Sequence, residues 1–205
     1  MESLNGPKRK MCAVGDNTFR GFHRLRKDCP GAKKDFVRFF VDEQSHLIAV
    51  LSSVRTGDQL DKVSDRVCAG VRRRLSNVSP EQLKSYNKVR KPVDLYFEHL
   101  VAMALELDKA REFLMPLLFL PLDSQMLRHE SLFSDEELVR HGLSRRSTYK
   151  DIKSKETYNA LQKLLNHKAR VVTAGWRRAF HRIYFDLLWG GRYRNRGGNL
   201  FETNP

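Results

Sequence analysis

Apolar and polar positions alternate along this 205-residue chain with a mostly helical period. The clearest stretch begins at Asp58, where Leu60, Val63, Val67, Val71 and Leu75 recur three to four residues apart and predict a helix with one buried stripe. Its carboxyl end carries Arg72-Arg73-Arg74, which complements the helix dipole and also offers a phosphate site. Ser79-Pro80-Glu81-Gln82 supplies a cap, a first-turn proline and an acidic first turn, so a new helix starts there and Pro92 is expected to interrupt it. Asp94 to Met115 is apolar on nearly every side, through Leu95, Phe97, Leu100, Val101 and Leu105, and predicts a long central core helix ended by Pro116 and Pro121.

Upstream, Phe36-Val37-Arg38-Phe39-Phe40-Val41 and Leu47-Ile48-Ala49-Val50-Leu51 flank the polar stretch Asp42 to His46. Two β-rich runs around a short break predict a small hairpin over residues 36–51, while Phe36, Phe40, Leu47 and Leu51 also fit one face of a helix. Residues 1–35 are basic and carry the turn formers Asn5-Gly6-Pro7, Gly15-Asp16 and Pro30-Gly31, which read as an irregular arm. The expected fold is mainly α: one helical domain over residues 36–189 around the central helix, preceded by the arm and followed by an Arg/Gly tail over 190–205.

At 40% hydrophobic residues the chain can bury a substantial core. Its longest apolar run, Phe113 to Leu122, is ten residues with two prolines, whereas a spanning helix needs roughly 20. No apolar stretch follows the basic cluster Lys8-Arg9-Lys10, so an intracellular location is expected, cytoplasmic or, in a eukaryotic host, nuclear. Cys12, Cys29 and Cys68 lack CxxC spacing, and Cys12, His23 and Cys29 find no fourth ligand nearby, so neither a metal nor another cofactor is expected.

Charge changes the picture. The formal net charge is +14, and it is unevenly spread: residues 91–140 hold 10 acidic against 5 basic side chains, residues 141–205 hold 14 basic against 4 acidic. A field concentrated in this way attracts a polyanion, with nucleic acid as the leading partner class and an anionic membrane surface as the second.

The basic carboxyl-terminal third contains a patterned element. Ser134-Asp135-Glu136-Glu137-Leu138-Val139-Arg140-His141 has a cap, an acidic first turn and then apolar residues, a short helix closed by Gly142. A second helix is expected to follow through Leu143-Ser144-Arg145-Arg146-Ser147-Thr148-Tyr149-Lys150-Asp151-Ile152. Residues 134–156 resemble the helix-turn-helix corner of bacterial DNA-binding regulators, in which a turn glycine, an apolar plug and a capping serine precede the recognition helix. Thr148 stands where an aliphatic residue is usual, and a plain helical corner is the alternative reading of the same residues. The resemblance implies DNA binding by Arg145, Arg146, Ser147, Tyr149, Lys150 and Lys153, with the leading residues of the second helix reaching base edges or phosphates.

Further on, Trp176, Phe180, Tyr184 and Leu187 recur at helical spacing, with Arg177, Arg178, His181 and Arg182 largely off that stripe. An amphipathic helix over residues 170–189 with a basic face is expected. Arg192, Arg194 and Arg196 follow among glycines, in a segment that resembles the RGG-type tails that contact RNA.

The leading expectation is therefore a non-enzymatic nucleic-acid-binding protein, DNA favoured and RNA possible. One alternative is an enzyme acting on nucleic acid, a nuclease or a base-removing repair protein, with Asp123, His129 and Glu130 as candidate chemistry, although Asp123 also fits the cap of the next helix. Another is a structural protein that coats RNA or lies on an anionic membrane, as small viral nucleocapsid or matrix proteins do.

Overall fold

A computed structural model of the chain describes residues 29–175 and 178–187. Among them the structure is mainly helical and contains no strand. The long helices are α1 (Ala32–Ser53), α2 (Gly57–Arg74), α4 (Tyr86–Met103) and α8 (Lys155–Gly175). Short helices connect them: α3 (Pro80–Leu83), α5 (Asp108–Leu114), α6 (Ser124–Arg128) and α7 (Asp135–Arg140).

Helix α2 follows its sequence pattern. Leu60, Val63, Val67, Val71 and Leu75 are all buried, and Thr56 with Gln59 forms a capping box that satisfies amino-terminal N–H groups. Helix α1 replaces the expected hairpin. The polar stretch Asp42 to His46 contains no glycine, proline or asparagine to reverse the chain, and Phe36, Phe40, Gln44, Leu47 and Leu51 form one buried helical face. The two helices approach closely at Gly70, where a Cβ atom would stand 2.7 Å from the ring of Phe39.

The central helix is displaced from its expected position. Helix α4 passes through Pro92 and stops at Met103, and Ala104 is extended. Its first donors are engaged from outside: Tyr86 N–H donates to the Lys153 carbonyl and Asn87 N–H to that of Ile152. A helix-interior proline costs about 3 kcal/mol; here burial of Val89, Val93, Tyr96, Phe97 and Leu100 offsets it. At the other end the Arg111 side chain donates to the carbonyls of Val101 at 2.8 Å and Ala104 at 3.1 Å, taking up acceptors a longer helix would have used.

The second helix of the expected corner does not form either. Helix α7 ends as anticipated at Gly142, whose φ of 69° suits glycine, but residues 143–154 run in successive turns. Their hydroxyl and carboxylate groups compete for the backbone. Ser147 Oγ accepts from Ser144 N–H at 3.0 Å, and Asp151 accepts from Thr148 N–H at 2.7 Å and from its hydroxyl at 3.0 Å.

The expected helix over 170–189 is likewise divided. Helix α8 ends at Gly175, and Thr173 Oγ1 binds both Phe180 N–H and the Phe180 carbonyl, so the chain doubles back. Residues 178–187 form a strap, with a tight helical turn over 182–187 and Ile183 and Phe185 buried. All these elements contribute to one contiguous apolar core, from Ala32 to Phe185.

Candidate nucleic-acid interface

The basic side chains divide into those consumed by the fold and those left at the surface. Arg145 belongs to the first group. It donates to Asp135 at 2.6 Å and to the carbonyls of Leu127 at 3.2 Å and Phe133 at 2.5 Å. Its guanidinium thus ties the turn before α7 together instead of pointing outward. Arg182 departs further from the expected basic face: it is 8% exposed. It donates to the Leu117 and Leu118 carbonyls at 2.7 Å each and lies 4.0 Å from the centroid of the Phe119 ring.

The remaining expected contacts are dispersed. Arg146, Lys153 and Arg178 are exposed. Lys150 is half-buried, 5.7 Å from the centroid of the Tyr149 ring, which also faces Lys91 at 5.6 Å. Ser147 is occupied by its turn. Arg177, Arg192, Arg194, Arg196 and Trp176 lie outside the described residues, as do Cys12 and His23.

Helix α2 adds Lys62 and Arg66, which the sequence pattern did not single out, to Arg73 of the phosphate site expected at its carboxyl end. Lys62, Arg66 and Arg73 are exposed, and at 100° per residue they fall within about 40° of one another around the helix. None makes an ion pair within 4 Å among the described residues, whereas neighbouring Arg74 is held by Asp42 at 3.4 Å. The signal was available as a basic period opposite the Leu60 to Val71 stripe. The conspicuous Arg72-Arg73-Arg74 triplet hid it, because consecutive residues face different directions.

This ridge borders a buried charge network. Arg90, fully buried, donates through Nε to Asp94 and through Nη1 to Asp61, both at 2.8 Å, and to the Tyr86 hydroxyl at 2.9 Å. Its guanidinium packs over the rings of Phe119 and Tyr158, at 4.5 and 4.8 Å from their centroids. Tyr158 donates to Asp94 at 2.6 Å. Lys155 bridges Asp61 at 2.7 Å and also pairs with Asp65. Lys62 and Arg66 each directly follow one of these aspartates, so neutralising the carboxylates internally leaves the ridge's positive field undiminished.

The same network shifts its acids in opposite directions. Burial pushes the Asp94 carboxyl above its ordinary range, with Arg90 and Tyr158 pulling against it. At Asp61 burial again works upward, but the bonds from Lys155 and Arg90 prevail and the carboxyl is lowered. A further acid, Glu98, has a buried Oε2 with no hydrogen-bond partner. Burial, with Asp186 and Asp94 nearby, pushes it up to about 8.

Two of the candidate enzymatic residues take part in local structure. Asp123 caps α6 by accepting from Gln125 and Met126 N–H at 2.8 and 3.0 Å, and pairs with Lys91 at 3.2 Å. The His129 carbonyl closes the turn to Leu132 and Phe133, and Glu130 is exposed. Among the described residues no group of three His, Cys, Asp or Glu side chains could hold a metal ion, and no helix is long and apolar enough to cross a membrane. No protein-family model, curated protein or solved structure matches this chain.

Proposed function

We propose that the protein binds nucleic acid through the phosphate backbone, using the Lys62, Arg66 and Arg73 ridge of α2 together with Arg146, Lys150 and Lys153 of the turn segment. The observation that carries this reading is the ridge: three exposed cations on one face of a capped helix, without acidic partners among the described residues. Solvated cations on a rigid element release counter-ions from a polyanion at little ordering cost. Because residues 143–154 are turns, their contacts fall on phosphates rather than on base edges read by a helix in the major groove. Affinity then exceeds sequence discrimination, and DNA and RNA are both accepted.

The test is a binding titration of the full chain against duplex DNA, single-stranded DNA and RNA at two salt concentrations. Each lost phosphate contact lowers the salt slope by about 0.9 on duplex DNA. Replacing Lys62, Arg66 and Arg73 together by Ala should lower the slope by about three contacts' worth, with unchanged helical content. Salt-insensitive binding, or a triple variant that binds like the parent, overturns the proposal.

A further inference from the structure

Helix α8 sorts its basic side chains by direction. Lys155, at its start, pairs with Asp61 and Asp65 of α2, and Lys168 pairs with Glu137 of α7 at 2.8 Å. Lys163, His167 and Arg170 are exposed, and among the described residues their side chains make no ion pair. At 100° per residue these three fall within about 60° of one another around the helix. They lie opposite Tyr158, Leu161, Leu165 and Ala169, which are buried. Cations set apart from carboxylates keep their field outside the molecule and can exchange their counter-ions for a polyanion.

This stripe adjoins the ridge of α2. Lys155 lies at the amino-terminal end of α8 and its two partners lie in the first half of α2, so the helices meet at those ion pairs. On each helix the exposed cations lie about a quarter turn round from this joint. On each they also face away from the one core to which both helices contribute.

We propose that Lys163, His167 and Arg170 form a second phosphate-binding stripe, and that one nucleic-acid molecule spans the Lys155 joint to engage both helices. The inference rests on the phosphate-binding reading of α2 given above.

At 1.5 Å per residue the α2 ridge is about 16 Å long and the α8 stripe about 10 Å. Either alone covers at most about half a turn of duplex, which is roughly 34 Å. The joint fixes the two stripes relative to each other, so the second set of contacts forms within one complex and adds to affinity without a second loss of translational freedom. His167 supplies a ring N–H to a phosphate oxygen, while Lys163 and Arg170 supply charge as well.

Salt titrations of the full chain on a duplex of about 20 base pairs, two helical turns, test this at fixed pH. Lys163→Ala and Arg170→Ala together should lower the salt slope by about 1.8, two contacts' worth, and should add to the loss in the α2 triple variant. His167→Arg places a permanent charge in the stripe and should raise both affinity and slope, by up to about 0.9 in the slope. A damaged fold does not produce such a gain. Lys109→Ala removes an exposed cation from α5 instead and should leave the slope as it is. Native mass spectrometry should find one duplex per chain. If the α2 triple variant loses its contacts while the α8 variants keep the parent's slope, this inference fails and the α2 reading stands. Two duplexes per chain, or a Lys109→Ala loss equal to that per charge in α8, also overturns it. Salt-insensitive binding by the parent removes the α2 reading and this inference together.

Discussion

Arg90 and Asp94, one turn apart on α4, share a 2.8 Å hydrogen bond between side chains that are 0% and 1% exposed. The pair welds α4 to α8 through Tyr158 and to α2 through Asp61. Removing one partner of a buried pair leaves an uncompensated charge, which costs about 3–5 kcal/mol. Arg90→Met should lower unfolding free energy by that amount in urea titrations. Adding Asp94→Asn to it should recover part of the loss, because the stranded carboxylate is then gone.

The two adjacent arginines, Arg145 and Arg146, should separate in their effects. Arg145 satisfies two carbonyls and an acid, whereas Arg146 is exposed. Arg145→Ala is expected to cost about 1–3 kcal/mol, as stranded acceptors do, and to shift the melting temperature. Arg146→Ala should leave the melt unchanged and weaken nucleic-acid binding in a salt-dependent manner. Equal melts for the two variants would refute the structural role of Arg145.

This contrast marks what was legible in the sequence. Period and caps located α2 and α7, since Leu60 to Leu75 and Ser134 to Glu137 are local patterns. The route of the chain after Gly142 and after Gly175 depends on distant acceptors, such as the Leu117 and Leu118 carbonyls that draw Arg182 inward. A basic residue at helical spacing looks the same whether its partner is a phosphate or a carbonyl 65 residues away. The acids showed the same ambiguity: Asp61 and Asp94 became visible as one network only once α2 and α4 were packed together.

Burial pushes the Cys68 thiol up to about 12, which suppresses the reactive thiolate. Cys29 is half-buried and should be modified before Cys68 by a thiol reagent under native conditions. Mass spectrometry of partially labelled protein should find Cys68 modified only after denaturant is added. Equal native rates would show that the α2 core opens readily.

Gly70 permits the close approach of α2 to α1, and Gly70→Ala sets two effects against each other. Alanine favours the helix by about 1 kcal/mol, but its Cβ would meet Phe39 Cζ at 2.7 Å and Cε2 at 2.8 Å. Phe39 is partly buried and packs edge-on against Phe40, whose ring lies 5.2 Å away, so moving aside would forfeit that contact. Overpacking of this kind costs about 1–3 kcal/mol. The variant should be less stable in urea, and combining it with Phe39→Leu should restore most of the loss.

Glu137 gives an acid-side counterpart to Glu98 with the opposite sign. Burial works to raise it, but the bond from Lys168 at 2.8 Å and the Ser134 N–H at 2.7 Å prevail, and its carboxyl lies below the ordinary 4.5. A carboxylate depressed in the folded state contributes stability that is present above its unfolded value and is lost as pH falls through the folded one. Glu137→Gln should therefore be less stable than the parent at pH 7, and the difference should shrink as pH is taken below 4. Ser134→Ala removes the other half of the capping box and should cost about 1 kcal/mol. That cost should persist in acid, since the serine hydroxyl does not titrate. Urea titrations of the three proteins at pH 7 and pH 3 separate the effects, and a Glu137→Gln deficit that stays constant between them would rule out the Lys168 ion pair as its source.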